Sequence, residues 1–400
     1  MTAATANPPP AMPRAPELNR TTVFLAGSLA VLLAAFLLAS YGWRQASLFL
    51  VGLGAGIALY HAAFGFTGAW RRMISERRSA GIRAQMIMLG AAVLLFMPLL
   101  DAGEVFGTSL RGAVAPLSSS IIVGAFLFGI GMQLGGGCAS GTLFTVGGGS
   151  VRMVVTLLAF IAGSVIGAIH WPAWQAAPKL APVSLLQTLG MPGAIAVSLS
   201  AFTLVWYAAG AAERRRHGVI DPGAGEASAG KKWLQGPWPL IAGALALAAV
   251  NVATLTLAGR PWGVTSGFAL WGSKAAASIG LDVASWPYWQ RAGPASALES
   301  SVFSDITSVM NFGILLGAMA AAGLAGRFAP VWRLPVGSLA AAIIGGLLLG
   351  YGARIAYGCN IGAFFSGLSS ASLHGWLWFA AAFAGNALAV RLRPLFGLDR

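Results

Sequence analysis

Charge is what this chain has least of. Only 9% of its 400 residues are Asp, Glu, Lys or Arg, against roughly 25% in a soluble domain. So little charge cannot cover a surface that faces water all round, which excludes a soluble globular class. Acidic residues are the scarcer sign, 11 against 25 basic ones, for a formal net charge of +14. Cysteine is nearly absent: two residues, with no CxxC and no Cys/His cluster. That excludes a disulfide scaffold and leaves no zinc site. No GxxxxGK[ST] stretch occurs, so direct ATP drive by this chain is not expected. No signature of any other cofactor is present, and the expected cofactor set is empty.

What fills the chain instead is apolar. Hydrophobic residues make up 57% of it, and the mean hydropathy is +0.76. Runs at 22–42, 84–100, 237–257 and 374–393 each approach the ~20 residues that cross a ~30 Å hydrocarbon core. The ~10-residue alternation of a membrane β-barrel is missing. The expected class is an all-α polytopic membrane protein, in contact with the lipid bilayer. It should have about nine transmembrane helices and further re-entrant or broken helical hairpins.

The positive charge does not mark a nucleic-acid partner. It clusters in short loops, with Arg71, Arg72, Arg77, Arg78 and Arg83 in one and Arg214, Arg215, Arg216, Lys231 and Lys232 in another. Such clusters orient membrane proteins, their loops facing the cytoplasm. Residues 1–20 read as a Pro/Ala-rich disordered tail. The run at 22–42 is too long for a signal peptide's apolar region and reads as a retained span.

Self-comparison divides the rest. The stretch 124–144, GAFLFGIGMQLGGGCASGTLF, aligns without gaps to 345–365, GGLLLGYGARIAYGCNIGAFF. Gly129, Gly131, Gly137, Cys138 and Gly141 fall on Gly350, Gly352, Gly358, Cys359 and Gly362. Upstream, 52–60 matches 263–271, with Gly52, Gly56, Ala58 and Leu59 on Gly263, Gly267, Ala269 and Leu270. We therefore expect two repeats, 21–211 and 237–400, joined by a basic cytoplasmic linker at 212–236. Taking 46–70 and 262–280 as re-entrant keeps every basic loop on one side. An odd number of crossings then separates the two cysteines, so the repeats should be inverted and their Cys-bearing turns should enter from opposite faces.

Helices broken at glycine-rich turns expose N–H groups and a positive dipole end, both suited to anions. Ser150 and Ser370 are candidate N-caps of the helices that follow. A thiol beside such donors adds a soft, polarizable partner. One buried cysteine can simply pack as a small hydrophobe; two at matched positions of two repeats point to function. The candidate substrate-binding set is Cys138, Cys359, Gly137, Gly141, Gly358, Asn360, Gly362, His61, Gly65 and Lys274. His61 equally fits a structural hydrogen bond, and Lys274 fits snorkelling to the interface. Arg354 is a candidate guard of the outer entrance and equally fits an interfacial anchor, while Asn360 fits either a donor to an oxyanion or a cap of its turn. Asp305 suits a span end, Asn311 a helix contact, and Trp171, Trp174, Trp286 and Trp289 an interfacial belt.

The repeated Gly-Cys motif, the PWGVTSGFALWGSK block at 261–274 and SVFSDITSVMNFGILLGA at 301–318 resemble the bacterial YeeE/YedE (sulphur transport domain) family over about 46–393. The resemblance implies thiosulfate uptake across the inner membrane, with thiols on turns that meet at mid-membrane passing the ion along. Cys138 and Cys359 would be two of those thiols. Members of that family usually place a third cysteine in the first hairpin, in a pattern like Arg-x-x-Phe-Cys-Phe. Here HAAFGFTGAWR puts His61 at the Arg and Gly65 at the Cys, so another small sulfur or selenium species is a second candidate substrate. A cytoplasmic sulfur-processing protein is a candidate partner. A membrane thiol–disulfide redox protein and a passive anion channel stand as alternatives to transport.

Overall fold

The computed structural model describes residues 18–221 and 233–399. The expected tail up to residue 17 and the linker's Lys231 and Lys232 lie outside the described residues. Helix α1 (Arg20–Tyr41) turns at Gly42, φ +84°, into α2 (Trp43–His61). After a break come α3 (Phe66–Ser75) and α4 (Ala80–Ala102). Then follow α5 (Ser119–Gly135), α6 (Ala139–Gly147), α7 (Val151–Ile169) and the short α8 (Trp171–Ala176). The first half closes with α9 (Leu185–His217), bent at Gly190 where φ is +68°. The second half holds α10 (Leu240–Ala258), α11 (Thr265–Ser278), α12 (Ala292–Glu299), α13 (Ile306–Leu324) and α14 (Val336–Ile355). A π-helical turn (Asn360–Phe365), α15 (Ser366–Ser369) and α16 (His374–Leu392) complete it. Nine helical stretches among the described residues are long and apolar enough to cross a membrane. The chain is an all-α polytopic membrane protein.

Glycine sets how closely the central helices approach. Between helices in lipid there is little hydrophobic drive, so close backbone contact does the holding. A Cβ added at Gly129 would lie 2.1 Å from the Ala382 carbonyl oxygen, and one at Gly385 would lie 2.1 Å from that of Phe126. These contacts run α5 and α16 antiparallel. In the same way Gly350 faces the Phe160 oxygen at 2.1 Å and Gly163 faces that of Leu347 at 2.3 Å, pairing α14 with α7. Between α5 and α14, Gly124 faces the Gly352 oxygen at 2.8 Å while Gly131 faces that of Gly345 at 2.7 Å.

The glycines of 46–70 have the same use, which corrects the re-entrant expectation there. Gly52 and Gly56 of α2 seat against the carbonyls of Met310 and Ile314, and Gly313 and Gly317 of α13 seat against those of Phe49 and Leu53. The two helices run parallel over their length, and α2 has 19 residues, ~28 Å of helix. It is a crossing helix, followed by the short α3. Its glycines make a packing face, where sequence alone read them as helix breaks.

The second re-entrant segment is present. Trp262 N donates to Asn251 Oδ1 at 2.8 Å, and Asn251 lies seven residues before the end of α10, ~10 Å below it. The chain thus dives back beside α10. Then α11 climbs alongside α7, with Gly272 against Ile161 and Val165. At the opposite end of the bundle the basic loops collect. Arg78 pairs with the buried Glu213 at 3.2 Å, and the His217 ring bonds the Glu76 carbonyl at 2.7 Å.

This packing predicts a sharp contrast. Gly129→Leu and Gly350→Leu should each abolish the monodisperse folded species on detergent size-exclusion, because a side chain there meets main chain. Gly54→Ala, at an exposed helical position with nothing within 4 Å of the new Cβ, should leave the melting temperature unchanged or slightly raised.

Candidate functional site

The site begins where α5 stops. Its last carbonyls have no helical partners, and lipid offers none. Two arginines from the basic end take them. Arg152 donates to Gly135 O at 2.8 Å and Leu134 O at 2.6 Å, and Arg393 donates to Gln133 O at 2.7 Å. Gly136, at φ +93°, then ends the helix in a conformation that L side chains rarely adopt.

Cys138 is the N-cap of α6, with extended backbone at φ −80° and ψ −171°. Its thiol fills the role usually given to a Ser or Asp oxygen, accepting from Gly141 N at 3.4 Å, with Ser140 Oγ 3.5 Å away. A Cβ at Gly141 would crowd the sulfur to 3.3 Å, and one at Gly137 would meet Met153 at 3.0 Å. Cys359 is likewise an N-cap, of the π-helical turn, at φ −108° and ψ −166°. Gly358 leads into it at φ +148°, where a Cβ would meet Ala363 N at 2.9 Å. Both cysteines are free and buried, and α6 packs on the π-helical turn within a single core. Gly65, where the resemblance expects a third cysteine, is the N-cap of α3 with extended backbone. Phe66, next to it, sets its ring 6.1 Å from that of Phe364. Three helix starts therefore converge, two of them bearing thiols. A Cβ at Gly65 would find no atom nearer than Ala63 O at 4.0 Å.

Above the Cys359 turn, at the end away from the basic loops, opens a cavity of about 320 Å³. Gly358, Gly362 and Ser366 form its floor, and Arg111, Arg260, Arg291 and Arg354 are in its wall. Arg354 reaches the Tyr288 hydroxyl and Thr265 O, the latter at 3.0 Å. Arg260 reaches Thr307 Oγ1 at 3.2 Å, and Arg291 lies over the rings of Trp171 and Tyr288 at 4.8 and 5.1 Å. None of the four has a carboxylate partner; the ion pair found among the described residues is Arg78–Glu213. The start of α11 adds its N–H groups through Thr265 and Ser266. Trp262, 0% exposed, also lines the cavity, and its indole Nε1 has no acceptor among the described residues. Four cations, a helix N-terminus and an N–H donor without an acceptor are groups suited to an anion. A second chamber of about 410 Å³ shares Arg260, Ser266, Tyr288 and Arg291 and adds Asp305.

The remaining sequence candidates fall elsewhere. His61 lies near the basic end, its ring 5.5 Å from that of Trp238 and its Nε2 without a partner among the described residues. Lys274 donates to Leu298 O at 2.6 Å and Ser300 O at 2.7 Å, tying down the C-terminal end of α12 without lining either chamber. Asn360 is 0% exposed beside the outer thiol. Ser150 is the N-cap residue of α7, without a side-chain cap bond. Ser370 caps no helix start; its hydroxyl accepts from Ala113 N at 2.9 Å. Asp305 does cap α13, accepting from Ser308 N at 2.8 Å, and Asn311 donates to Val264 O at 3.0 Å. Trp171, expected in the interfacial belt, carries Arg291 over its ring. Sequence reasoning missed Arg111, Arg260, Arg291, Trp262 and Tyr288 as site residues. Their one signal was arginine on the end where positive charge is normally sparse.

With this geometry in hand, relatives of the chain become informative. The family described as Sulphur transport matches residues 61–388. The chain is 33% identical over 168 residues to a protein named probable transporter YedE from Escherichia coli (strain K12), a match covering 41% of this chain and 40% of that protein. A Salmonella typhimurium protein of the same name is 30% identical, over the same shares. The chain thus spans well under half the length of these two relatives. It is 28% identical over 365 residues to the thiosulfate transporter TsuA of Spirochaeta thermophila, covering 84% of this chain and 95% of that one. Broken helices with cysteine N-caps beneath a cationic vestibule thus sit inside a matched region spanning most of the chain, which belongs to the Sulphur transport family.

Proposed function

We propose that the chain carries a small sulfur-containing anion, thiosulfate first among them, from the vestibule to the basic-loop end. The positive-inside rule makes the latter end cytoplasmic, so the direction is uptake. The observation that carries this reading is the unpaired arginine vestibule floored by the Cys359 turn. Charge gathers the ion; the buried thiols then sort it. A soft S–H can meet the terminal sulfur of thiosulfate, which sulfate lacks. The Spirochaeta relative, covered over 95% of its length and named for thiosulfate, supports this substrate. Transport needs no bond made or broken by the protein, and the proposed site is a binding path: Cys359, Gly358 and Gly362 on the outer turn, Cys138, Gly137 and Gly141 on the inner one.

We further infer that the two halves are inverted repeats. The support is reciprocity: Gly124 meets Gly352 as Gly131 meets Gly345, and Gly129–Ala382 and Phe126–Gly385 are matched by Gly350–Phe160 and Leu347–Gly163. In each set the residues exchange roles across the repeat, as a two-fold relation requires. On this reading Cys138 and Cys359 enter from opposite faces and meet between them.

Growth on thiosulfate as sole sulfur source, in cells lacking their own uptake systems, tests the thiol path. Cys138→Ala and Cys359→Ala should each fail to support growth at wild-type expression. Gly65→Cys, for which the space is open, should support growth at least equal to the wild type. Full growth of both alanine variants would remove the thiols from the mechanism. The vestibule is tested separately in proteoliposomes. Arg260→Gln and Arg291→Gln should each raise KM for thiosulfate by about three- to ten-fold with little change in maximal rate, consistent with loss of one charge at short range in a partly hydrated cavity. Added salt should weaken uptake by the wild type more than by these variants.

A further inference from the structure

Asn360 is the first residue of the π-helical turn and follows Cys359 directly. It is 0% exposed, as is the thiol before it. Neither Nδ2 nor Oδ1 has a hydrogen-bond partner among the described residues, and no other side chain there has two polar atoms so left. An amide buried in this way is costly unless something pairs with it. Its neighbours Gly358 and Gly362 line the vestibule, and Asn360 stands between them in the chain, next to the outer thiol. The repeat alignment places Ala139 opposite it. At the inner turn the polar group beside the thiol is the Ser140 hydroxyl, 3.5 Å from Cys138 Sγ.

We propose that Asn360 is the specificity-determining residue of the outer turn and donates from Nδ2 to the oxygen end of the ion while Cys359 faces its sulfur end. This rests on the transport reading above and narrows it. The ligand class is an anion with a soft terminal sulfur and hydrogen-bond-accepting oxygens on the adjoining centre. A bare sulfide would leave the amide unpaired, and sulfate would leave the thiol without its soft partner. Because neither amide atom is tied to protein, the group rotates to suit what passes: Nδ2 toward an oxygen, Oδ1 toward a thiol proton.

The test is radiolabelled thiosulfate uptake in proteoliposomes, with detergent melting curves, for Asn360→Leu, Asn360→Ala and Cys359→Ala. Leucine keeps the amide's approximate volume and removes its hydrogen bonds; alanine leaves the space open, so a steric block cannot explain a shared defect. Both Asn360 variants should raise KM for thiosulfate about ten-fold or more, the usual worth of a hydrogen bond to a charged group. Asn360→Leu should melt at or above the wild-type temperature, since it removes an unpaired buried amide. An unchanged KM in either variant would overturn the proposal, and so would a clear drop in the melting temperature of Asn360→Leu, which would mark the amide as structural. Wild-type uptake by Cys359→Ala would instead overturn the thiol reading on which the proposal rests.

Discussion

A helix that stops inside a membrane must hand its last carbonyls to something other than water, and the rest of this structure depends on how that is done. Arg152 and Arg393 supply the partners for α5, reaching up from the basic end to residues 133–135. Their hold lets the helix stop at Gly136 and restart at Cys138 with a new set of N–H donors. The breaks are tolerable only because the neighbours leave no room for lipid. Glycine faces on α5, α7, α14 and α16 bring main chain against main chain, and the turns are enclosed by protein. A break in a loosely packed bundle would expose the same groups to hydrocarbon, where each is costly.

On the proposed transport reading, the same arrangement divides selectivity into two stages. The arginines act on charge at a distance, in a cavity whose low-dielectric walls strengthen their field. They do not distinguish one small dianion from another. The turns beneath act by contact. There the donors are a thiol and helix N–H groups, held by extended N-cap backbone and by glycines that a side chain would displace. Rigidity matters because soft contacts are weak and short-ranged, and a sulfur displaced by an ångström loses them. Gly65 is likewise an extended N-cap, of α3, without a thiol.

Much of this was legible beforehand. Apolar runs near twenty residues announced the crossings, and the gapless match of 124–144 to 345–365 announced two equivalent turns and both thiols. The dive of 262–280 back into the bundle followed from keeping basic loops on one side. Other readings depended on neighbours that no local pattern reveals. The glycines of 46–70 looked like a break and proved to be the face that α13 packs against. Lys274 looked like a charge placed for an anion, yet two carbonyls occupy it. Ser370 looked like a helix cap and instead holds the 113 backbone.

By itself the sequence determined the solvent this protein lives in, its all-helical class and the two cysteines, because each is written in composition or in short-range spacing. Only the tertiary structure decided the vestibule. Arg111, Arg260, Arg291 and Arg354 lie on four separate segments, and an unpaired charge becomes an anion site only when folding gathers its fellows without a carboxylate among them. The orphaned amide of Asn360 is of the same kind. Its residue type is plain in the sequence, but whether its hydrogen bonds are satisfied is a property of everything packed around it.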